Sequence, residues 1–272
     1  SALQGIVRAM EPLRLSPSRM NDFTNCPQLY KYRAVDQLPE PPSIDAERGK
    51  LIHAVLEDLF ELPAPSRTYE SAIELLPSKW AQQLEAKPEL AALVLDEKEW
   101  FDRAHSLLTN YFSLEKPSTF ESTYRELHLE RDVSEEIYLH GYVDRLDIAP
   151  TGEVRIVDYK TGKRPPDESE AGGSLALAIY AIGAERTLRK KCRTVELHHL
   201  PSETKAVYRH DDASLARHVK RAESIAAEAL AATAAGRFIA TPGALCGYCD
   251  YARICSDADR APAQPWAGLD EN

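Results

Sequence analysis

The chain has 272 residues, of which 43% are apolar and 28% charged, as is typical of a soluble globular protein. No run of 18 apolar residues is present and the start lacks the pattern of a secretory signal, so we expect a cytoplasmic protein without a membrane span. With 33 Lys and Arg against 43 Asp and Glu, the net charge of −10 argues against coating of nucleic acid over the whole surface.

The N-terminal half of the chain is predicted to be mainly helical. Apolar residues recur at helical spacing over 49–62 and again over 69–115. Pro77 and Pro88 are expected to interrupt the second stretch, because proline removes a backbone donor inside a helix. We interpret residues 63–118 as a helical insertion in a larger domain.

The hydrophobic period changes to that of strands in the middle of the chain, and helices return later. Thr151-Gly152 predicts a tight turn between two neighbouring strands. This order predicts an α/β fold with a mixed central sheet flanked by helices. The predicted elements are strands over 124–133, 137–148 and 153–159, a helix over 173–191, strands over 194–200 and 205–208, and a helix over 211–236.

Two acids and a lysine fall on the strands that this turn connects. Asp144 lies on the first strand and Asp158 on the second, and Lys160 follows two residues later on the same face. Two adjacent carboxylates repel unless a cation lies between them, and oxygen ligands suit Mg²⁺ or Mn²⁺. An ammonium group beside such an ion can orient water and stabilise charge on a phosphate. The alternative is a solvated strand end, but the pattern favours catalytic residues for metal-dependent phosphodiester hydrolysis.

A histidine on the predicted helix over 49–62 completes a familiar set of motifs. Gly-x-x-x-His ends at His53, Gly-x-x-Asp-Arg-x-Asp contains Asp144, and Asp-Tyr-Lys-Thr-Gly begins at Asp158. Together these motifs resemble the RecB-like branch of the PD-(D/E)xK nucleases over residues 16–255. The resemblance implies a restriction-endonuclease-like core and a DNA nuclease activity.

The resemblance also implies roles for individual residues. Lys160 matches the lysine that helps to activate water. From their positions near the motifs, rather than from the resemblance, we expect Glu57 to orient the histidine one turn before it, and Asp147 to support the metal ligands or to be a structural group. The implied ligands of the divalent metal, Mg²⁺ or Mn²⁺, are His53, Asp144, Asp158 and the backbone carbonyl of Tyr159.

The DNA-binding part of the pattern is incomplete. Members of the family place a Gln four residues before a Tyr on the next helix, and here Ala176 stands four residues before Tyr180. The missing amide bears on rate and strand handling rather than on the metal chemistry. We expect Tyr180 and the basic pair Lys163 and Arg164 to contact DNA, the latter two through phosphates.

The cysteines form a second constellation. Cys246, Cys249 and Cys255 give the spacing C-x2-C-x5-C, and Cys26 lies about 220 residues upstream. Five cysteines without an export signal favour metal ligation over disulfides. The spacing alone leaves open a zinc site built from the last three, with Cys26 as a buried apolar residue. Cys192 is expected to be a non-ligand.

The arrangement of one early and three late cysteines resembles the iron–sulfur subgroup of RecB-like nucleases, which includes AddB-type and CRISPR-associated adaptation nucleases. The resemblance implies that Cys26, Cys246, Cys249 and Cys255 hold a [4Fe–4S] cluster. Such a cluster would join the N- and C-terminal parts of the fold.

These observations predict one main domain and three functional alternatives. The domain organisation is an extension over 1–15, a nuclease domain over 16–255 with the cluster segment at 241–255, and a flexible tail over 256–272. The leading hypothesis is a metal-dependent exonuclease of single-stranded DNA ends, in DNA repair or recombination, with a helicase or repair complex as partner. The alternatives are a catalytically weak DNA-binding accessory subunit and a zinc-stapled structural protein.

Overall fold

The computed structural model describes residues 13–134 and 137–258, which divide into two compact units. The terminal unit combines Ser1–Pro41, Arg131–His140 and Lys220–Asn272, and the central unit combines Pro42–Glu130 and Gly141–Val219. Most of the predicted N-terminal extension and most of the predicted tail lie outside the described residues. Both remain predictions.

The strands form a mixed sheet, as the sequence pattern predicts. In the central unit β3 and β4 are antiparallel, β4 and β5 are parallel, and β5 and β6 are antiparallel, while β2 pairs with β3. In the terminal unit β1 runs parallel to the first residues of β3. The strands are β1 (Leu13–Leu15), β2 (Tyr124–Ser134), β3 (Ile137–Ile148), β4 (Val154–Lys160), β5 (Cys192–His199) and β6 (Thr204–Arg209).

The predicted turn between β3 and β4 is present. Gly152 has a φ of 84°, a left-handed conformation that glycine adopts without a Cβ clash. The register of the hairpin pairs Arg145 with Val157. The next position along this register sets Asp144 opposite Asp158, so the two side chains lie on the same face of the sheet.

Helices pack on both faces of the sheet in the central unit. Val157 and Tyr159 of β4 face a core that is built with helices α3, α4 and α6, and Val154 and Ile156 face a second core with helix α8. This alternation follows from the two-residue period of a strand. The α-helices are α1 (Pro17–Asn25), α2 (Pro27–Tyr30), α3 (Ile44–Glu61), α4 (Tyr69–Ala86), α5 (Leu90–Leu93), α6 (Glu97–Leu114), α7 (Glu168–Gly173), α8 (Leu175–Leu188) and α9 (Asp212–Ala235).

Two predicted helix boundaries are wrong for the same reason, a serine that caps a helix. Helix α3 begins at Ile44 rather than Gly49, because Ser43 Oγ accepts a hydrogen bond from the backbone N–H of Ala46. The predicted helix over 173–191 corresponds to α8, which begins at Leu175 and ends at Leu188, and the short helix α7 before it was not predicted. Ser174 leaves the helical conformation after α7 and caps α8 through its side chain.

The prediction about Pro77 is also wrong. Helix α4 continues through this residue, with Leu76 and Trp80 buried beside it. Apolar burial on this face offsets the loss of one backbone hydrogen bond. Pro88 behaves as predicted, since it follows the end of α4. None of the helices in the described ranges is long and apolar enough to cross a bilayer.

Candidate active site

Helix α3 approaches the end of β4 closely at Gly49. A Cβ atom at this position would lie 2.6 Å from Thr161 Oγ1, so a larger residue would displace the helix or the threonine. The close approach brings His53, one turn further along, against the strand. Its Nε2 atom lies 3.1 Å from the carbonyl oxygen of Tyr159. Packing therefore explains the glycine of the Gly-x-x-x-His motif.

His53, Asp144 and the backbone of Tyr159 meet at one point. His53 Nδ1 lies 3.4 Å from Asp144 Oδ1, and the backbone N–H of Tyr159 donates to Asp144 Oδ2 at 2.9 Å. Burial alone would lower the pKa of His53, but the Asp144 carboxylate outweighs burial and raises it. A cation bound by His53 must displace its proton, so metal binding and protonation compete here.

Asp158 and Lys160 form an ion pair on the same face of β4, as their spacing predicts. Lys160 Nζ lies 2.7 Å from Asp158 Oδ2. Burial raises the pKa of Asp158, Lys160 opposes this change, and the nearby Asp144 carboxylate adds to it. Burial would lower the pKa of Lys160, but Asp158 reverses the direction and keeps the amine protonated. The pair therefore places an ammonium group beside two carboxylates.

Glu126 on β2 also lies in this site, although the sequence motifs did not predict it. Its carboxylate, the imidazole of His53 and the carboxylate of Asp144 each offer one ligand atom, and these atoms lie within 4.8 Å of one another. Burial, and next the charges of Asp144 and Glu57, raise the pKa of Glu126 to about 7. No short motif contains Glu126. The pairing of β2 with β3, the next strand along the chain, brings it to the site.

Glu57 does not orient His53 as expected. Among the described residues, no hydrogen bond or ion pair joins the two side chains, and His53 is held by Asp144 and Tyr159 instead. Glu57 lines a groove of about 430 Å³ together with Glu126. One helical turn brings Glu57 and His53 to the same side of α3, and both line this groove without a hydrogen bond to each other.

Tyr180 on α8 lies close to the glycine that begins the Gly-x-x-Asp motif. A Cβ atom at Gly141 would lie 2.6 Å from the ring of Tyr180, so the absence of a side chain admits the ring. Burial, and then the charges of Asp158 and Asp144, raise the pKa of Tyr180. The phenol therefore stays neutral, and it lies near both acids. Ala176, where an amide is expected, is half-buried on the same helix.

The predicted phosphate contacts lie beyond the end of β4. Lys163 and Arg164 are exposed in the connection between β4 and α7. Arg164 forms an ion pair with Glu170, which reduces the net positive charge of this segment. Both side chains are accessible to a bound strand of DNA.

A buried arginine, Arg145, is hydrogen-bonded to Tyr159, whose backbone belongs to the site. Arg145 donates two hydrogen bonds to Glu115, at 2.7 and 2.9 Å, and a third to the hydroxyl of Tyr159 at 2.6 Å. The side chains of Arg145 and Glu115 are 1% and 3% exposed. Burial would raise the pKa of Glu115, but Arg145 outweighs it and lowers the pKa to about 2. This pair connects the end of α6 to β3 and β4.

Asp147 takes the structural role expected for it. The side chain is buried, and its Oδ2 atom accepts a hydrogen bond of 2.8 Å from Arg155 Nε. Arg155 also lies 3.2 Å from Glu196. Asp147 therefore belongs to an ion-pair network with Arg155 rather than to the group around His53.

In the terminal unit, Cys26, Cys246, Cys249 and Cys255 line one cavity of about 180 Å³. The backbone N–H of Thr241 lies 3.4 Å from Cys26 Sγ, and that of Gly243 lies 3.5 Å from Cys246 Sγ, each as a donor to sulfur. Within the described ranges, no three of these sulfur atoms lie within 4.8 Å of one another. The spacing is wider than a single tetrahedral zinc ion requires.

Cys192 lies apart from this set, in the core of the central unit. It is fully buried on β5, and burial raises the pKa of its thiol to about 12. A buried protonated thiol behaves as a small apolar residue. The predicted separation of Cys192 from the other four thiols agrees with this position.

The chain is similar in sequence to three curated proteins. The chain is 27% identical over 203 residues to the Gene 69 protein of Mycobacterium phage D29, which covers 65% of this chain and 73% of that protein. Identity to the Gene 69 protein of Mycobacterium phage L5 is 24% over 226 residues, covering 66% and 76%. Identity to an ATP-dependent helicase/deoxyribonuclease subunit of Acetivibrio thermocellus is 28% over 185 residues, covering 56% of this chain and 16% of that protein.

Among solved structures, the crystal structure of SSO0001 overlaps 89% of this chain and 85% of its own, with a TM-score of 0.34 and 12% identity. The profile of the PD-(D/E)XK nuclease superfamily matches residues 14–256, a range that includes the hairpin with Asp144 and Asp158, the helix with His53 and all four cysteines of the terminal cavity. By this match, the chain belongs to the PD-(D/E)XK nuclease superfamily.

Proposed function

We propose that this chain is a divalent-metal-dependent deoxyribonuclease that degrades single-stranded DNA from its ends. The observation that carries the proposal is the meeting of His53, Asp144 and the Tyr159 carbonyl beside the Asp158–Lys160 pair. Membership of the nuclease superfamily supports phosphodiester hydrolysis. The A. thermocellus relative is named as a helicase/deoxyribonuclease subunit, which supports a DNA substrate and a helicase partner.

The donor set fits Mg²⁺ or Mn²⁺, because it is mainly oxygen with one imidazole. His53, Asp144, Asp158 and the Tyr159 carbonyl would hold the ion. When bound, such an ion polarises the phosphate and lowers the pKa of water.

Side chains of the protein orient the water, stabilise charge on the phosphate and bind the DNA. Lys160 is a protonated amine next to Asp158, so it orients the attacking water and stabilises negative charge that develops on the phosphate. Tyr180 contacts the DNA strand beside both acids. Lys163 and Arg164 neutralise phosphates further along the DNA strand.

We also propose that the four thiols of the terminal cavity hold a [4Fe–4S] cluster. The cavity provides space between them, and two backbone N–H groups point at sulfur, as is common for iron–sulfur thiolates. The wide spacing of the sulfur atoms supports a cluster over a single zinc ion. Because Cys26 and Cys246 are so distant in sequence, the cluster would restrain a loop of about 220 residues, worth roughly 5 kcal/mol in a simple chain-entropy account.

The nuclease proposal is tested with protein purified without oxygen and single-stranded DNA labelled at either end. We expect mononucleotides or short oligonucleotides to appear from one labelled end only after Mg²⁺ or Mn²⁺ is added. Binding of DNA without cleavage at any metal concentration would contradict the proposal and support the accessory-subunit alternative. Cleavage at internal sites of circular single-stranded DNA would contradict exonuclease action.

The cluster proposal makes a separate prediction. Replacement of Cys26, Cys246, Cys249 or Cys255 by Ser is expected to remove iron and lower the melting temperature, because an alkoxide is a poor substitute for a soft thiolate ligand. Cys192→Ser is the control and should retain the iron content of wild type. Iron quantitation and visible absorption of the five variants provide the measurement. Wild-type iron in Cys26→Ser would exclude this residue from the site, and zinc without iron in wild type would favour the structural alternative.

A further inference from the structure

Glu126 is a carboxylate without an ion-pair partner of its own. The cationic side chains around the site pair elsewhere: Lys160 pairs with Asp158, Arg145 with Glu115, and Arg125 with Glu61. In the part of the chain that the structure describes, the Glu126 side chain makes no hydrogen bond or ion pair. Keeping a half-buried carboxylate ionised without a partner costs free energy, and a bound cation offsets that cost.

A small cavity lies beside the unpaired carboxylate. It measures about 10 Å³, room for one water-sized sphere, and the carboxylates that line it are those of Glu57, Glu126 and Asp144. His53 and Tyr159 also line it, as do Arg125 and Arg145, whose charges are already paired with Glu61 and Glu115. A single ion at this point would be within reach of an imidazole and two carboxylates. The presence of this cavity does not depend on the charges of the residues around it. Its volume is large enough for one ion.

The backbone of Glu126 is also unusual. Its φ is 44°, a left-handed conformation within strand β2 that a residue with a Cβ atom rarely adopts. A residue in this conformation departs from the regular alternation of a strand, so its side chain is directed differently from those of its neighbours. In Glu126 the carboxylate is brought within 4.8 Å of the ligand atoms of His53 and Asp144.

From these observations we propose that Glu126 is a direct ligand of the divalent cation, in addition to the ligands that the sequence motifs indicate. The inference rests on the proposed function only for the identity of the cation, Mg²⁺ or Mn²⁺. Glu126 would add a carboxylate from strand β2 to the four ligands already proposed, next to the ligand atoms of His53 and Asp144.

The test is Mn²⁺ binding to Glu126→Gln, measured by isothermal titration calorimetry and electron paramagnetic resonance without DNA. The amide retains the shape of the side chain and removes its charge, so Kd for Mn²⁺ is expected to rise by at least about tenfold. Glu130→Gln is the matched control, because it removes a charge from the same strand at an exposed position that lines neither the groove nor the small cavity. If charge alone attracted the ion, both variants would weaken binding equally, and that result would overturn the proposal.

Glu126→Asp keeps the charge and shortens the side chain, and it should weaken binding to an intermediate degree. Circular dichroism confirms that each variant is folded. Wild-type Mn²⁺ affinity in folded Glu126→Gln would also overturn the inference. Its failure is distinguishable from that of the nuclease proposal, because wild type that binds Mn²⁺ through Glu126 and leaves DNA intact contradicts only the latter.

Discussion

Asp144→Ala and Asp158→Ala are each expected to abolish DNA cleavage, with activity reduced on the order of 10³-fold or more. Asp144 connects His53 to the backbone of Tyr159, and Asp158 holds the ammonium group of Lys160. Loss of either acid therefore removes a proposed metal ligand and disturbs a second group. Since the two act on one ion, either single replacement should be nearly as severe as the double replacement. Lys160→Ala should have a comparable effect on activity.

The measurement is the initial rate of release from end-labelled single-stranded DNA at saturating Mn²⁺, with circular dichroism as the check on folding. Asp102→Ala is the matched control. This aspartate lies on α6 and pairs with Lys98 at the surface, and both side chains are more than half exposed. It should retain wild-type rates. Wild-type cleavage by Asp158→Ala at saturating Mn²⁺ would contradict the assignment of the site.

Glu115→Gln is expected to cause the largest loss of stability, on the order of 3 kcal/mol. Arg145 is nearly fully buried, and Glu115 accepts two of its hydrogen bonds. The replacement leaves the buried guanidinium with Asp147, 3.2 Å from its Nε, as its remaining carboxylate partner, and removes the two hydrogen bonds to Glu115. Urea denaturation at neutral pH measures the change. Glu99→Gln breaks an exposed pair with Arg103 and should cost less than about 0.5 kcal/mol.

The same glutamate should make stability depend on pH. Its folded pKa, about 2, lies below the ordinary value of 4.5, so the charged form is favoured by folding. The stabilisation is therefore present in full above about pH 4.5 and is lost as the pH falls through 2. The difference of about 2.5 units corresponds to roughly 3 kcal/mol. Glu115→Gln should remove this part of the acid sensitivity, and an unchanged acid profile would contradict the role of the pair.

The features that were predicted correctly from the sequence are those that depend on residues close together in the chain. The hairpin of β3 and β4 follows from two apolar runs around Thr151-Gly152, and its register alone sets Asp144 opposite Asp158. The same-face relation of Asp158 and Lys160 follows from the strand period. Errors arose where a capping side chain decides where a helix begins, as at Ser43, which starts α3 before the apolar pattern becomes visible.

Residues that reach the site without belonging to a motif were not predictable in this way. Glu126 depends on the pairing of β2 with β3, and Glu115 depends on how α6 packs against the sheet. Neither has a motif, and each is an ordinary glutamate in its own segment. For Glu57 the sequence predicted a contact that does not form. Helical spacing correctly places Glu57 one turn from His53, but the imidazole contacts Tyr159 and Asp144 instead.

Tyr159 serves three partners with three different groups: its N–H binds Asp144, its carbonyl faces His53, and its hydroxyl binds Arg145. Only the last of these belongs to the side chain. A mutational scan would therefore assign the position to the protein core, since every replacement except proline retains the two backbone groups. Replacing the peptide bond after Tyr159 by an ester would weaken the carbonyl as an acceptor while leaving the ring unchanged. That substitution would reveal a contribution to the active site that genetic variation cannot remove.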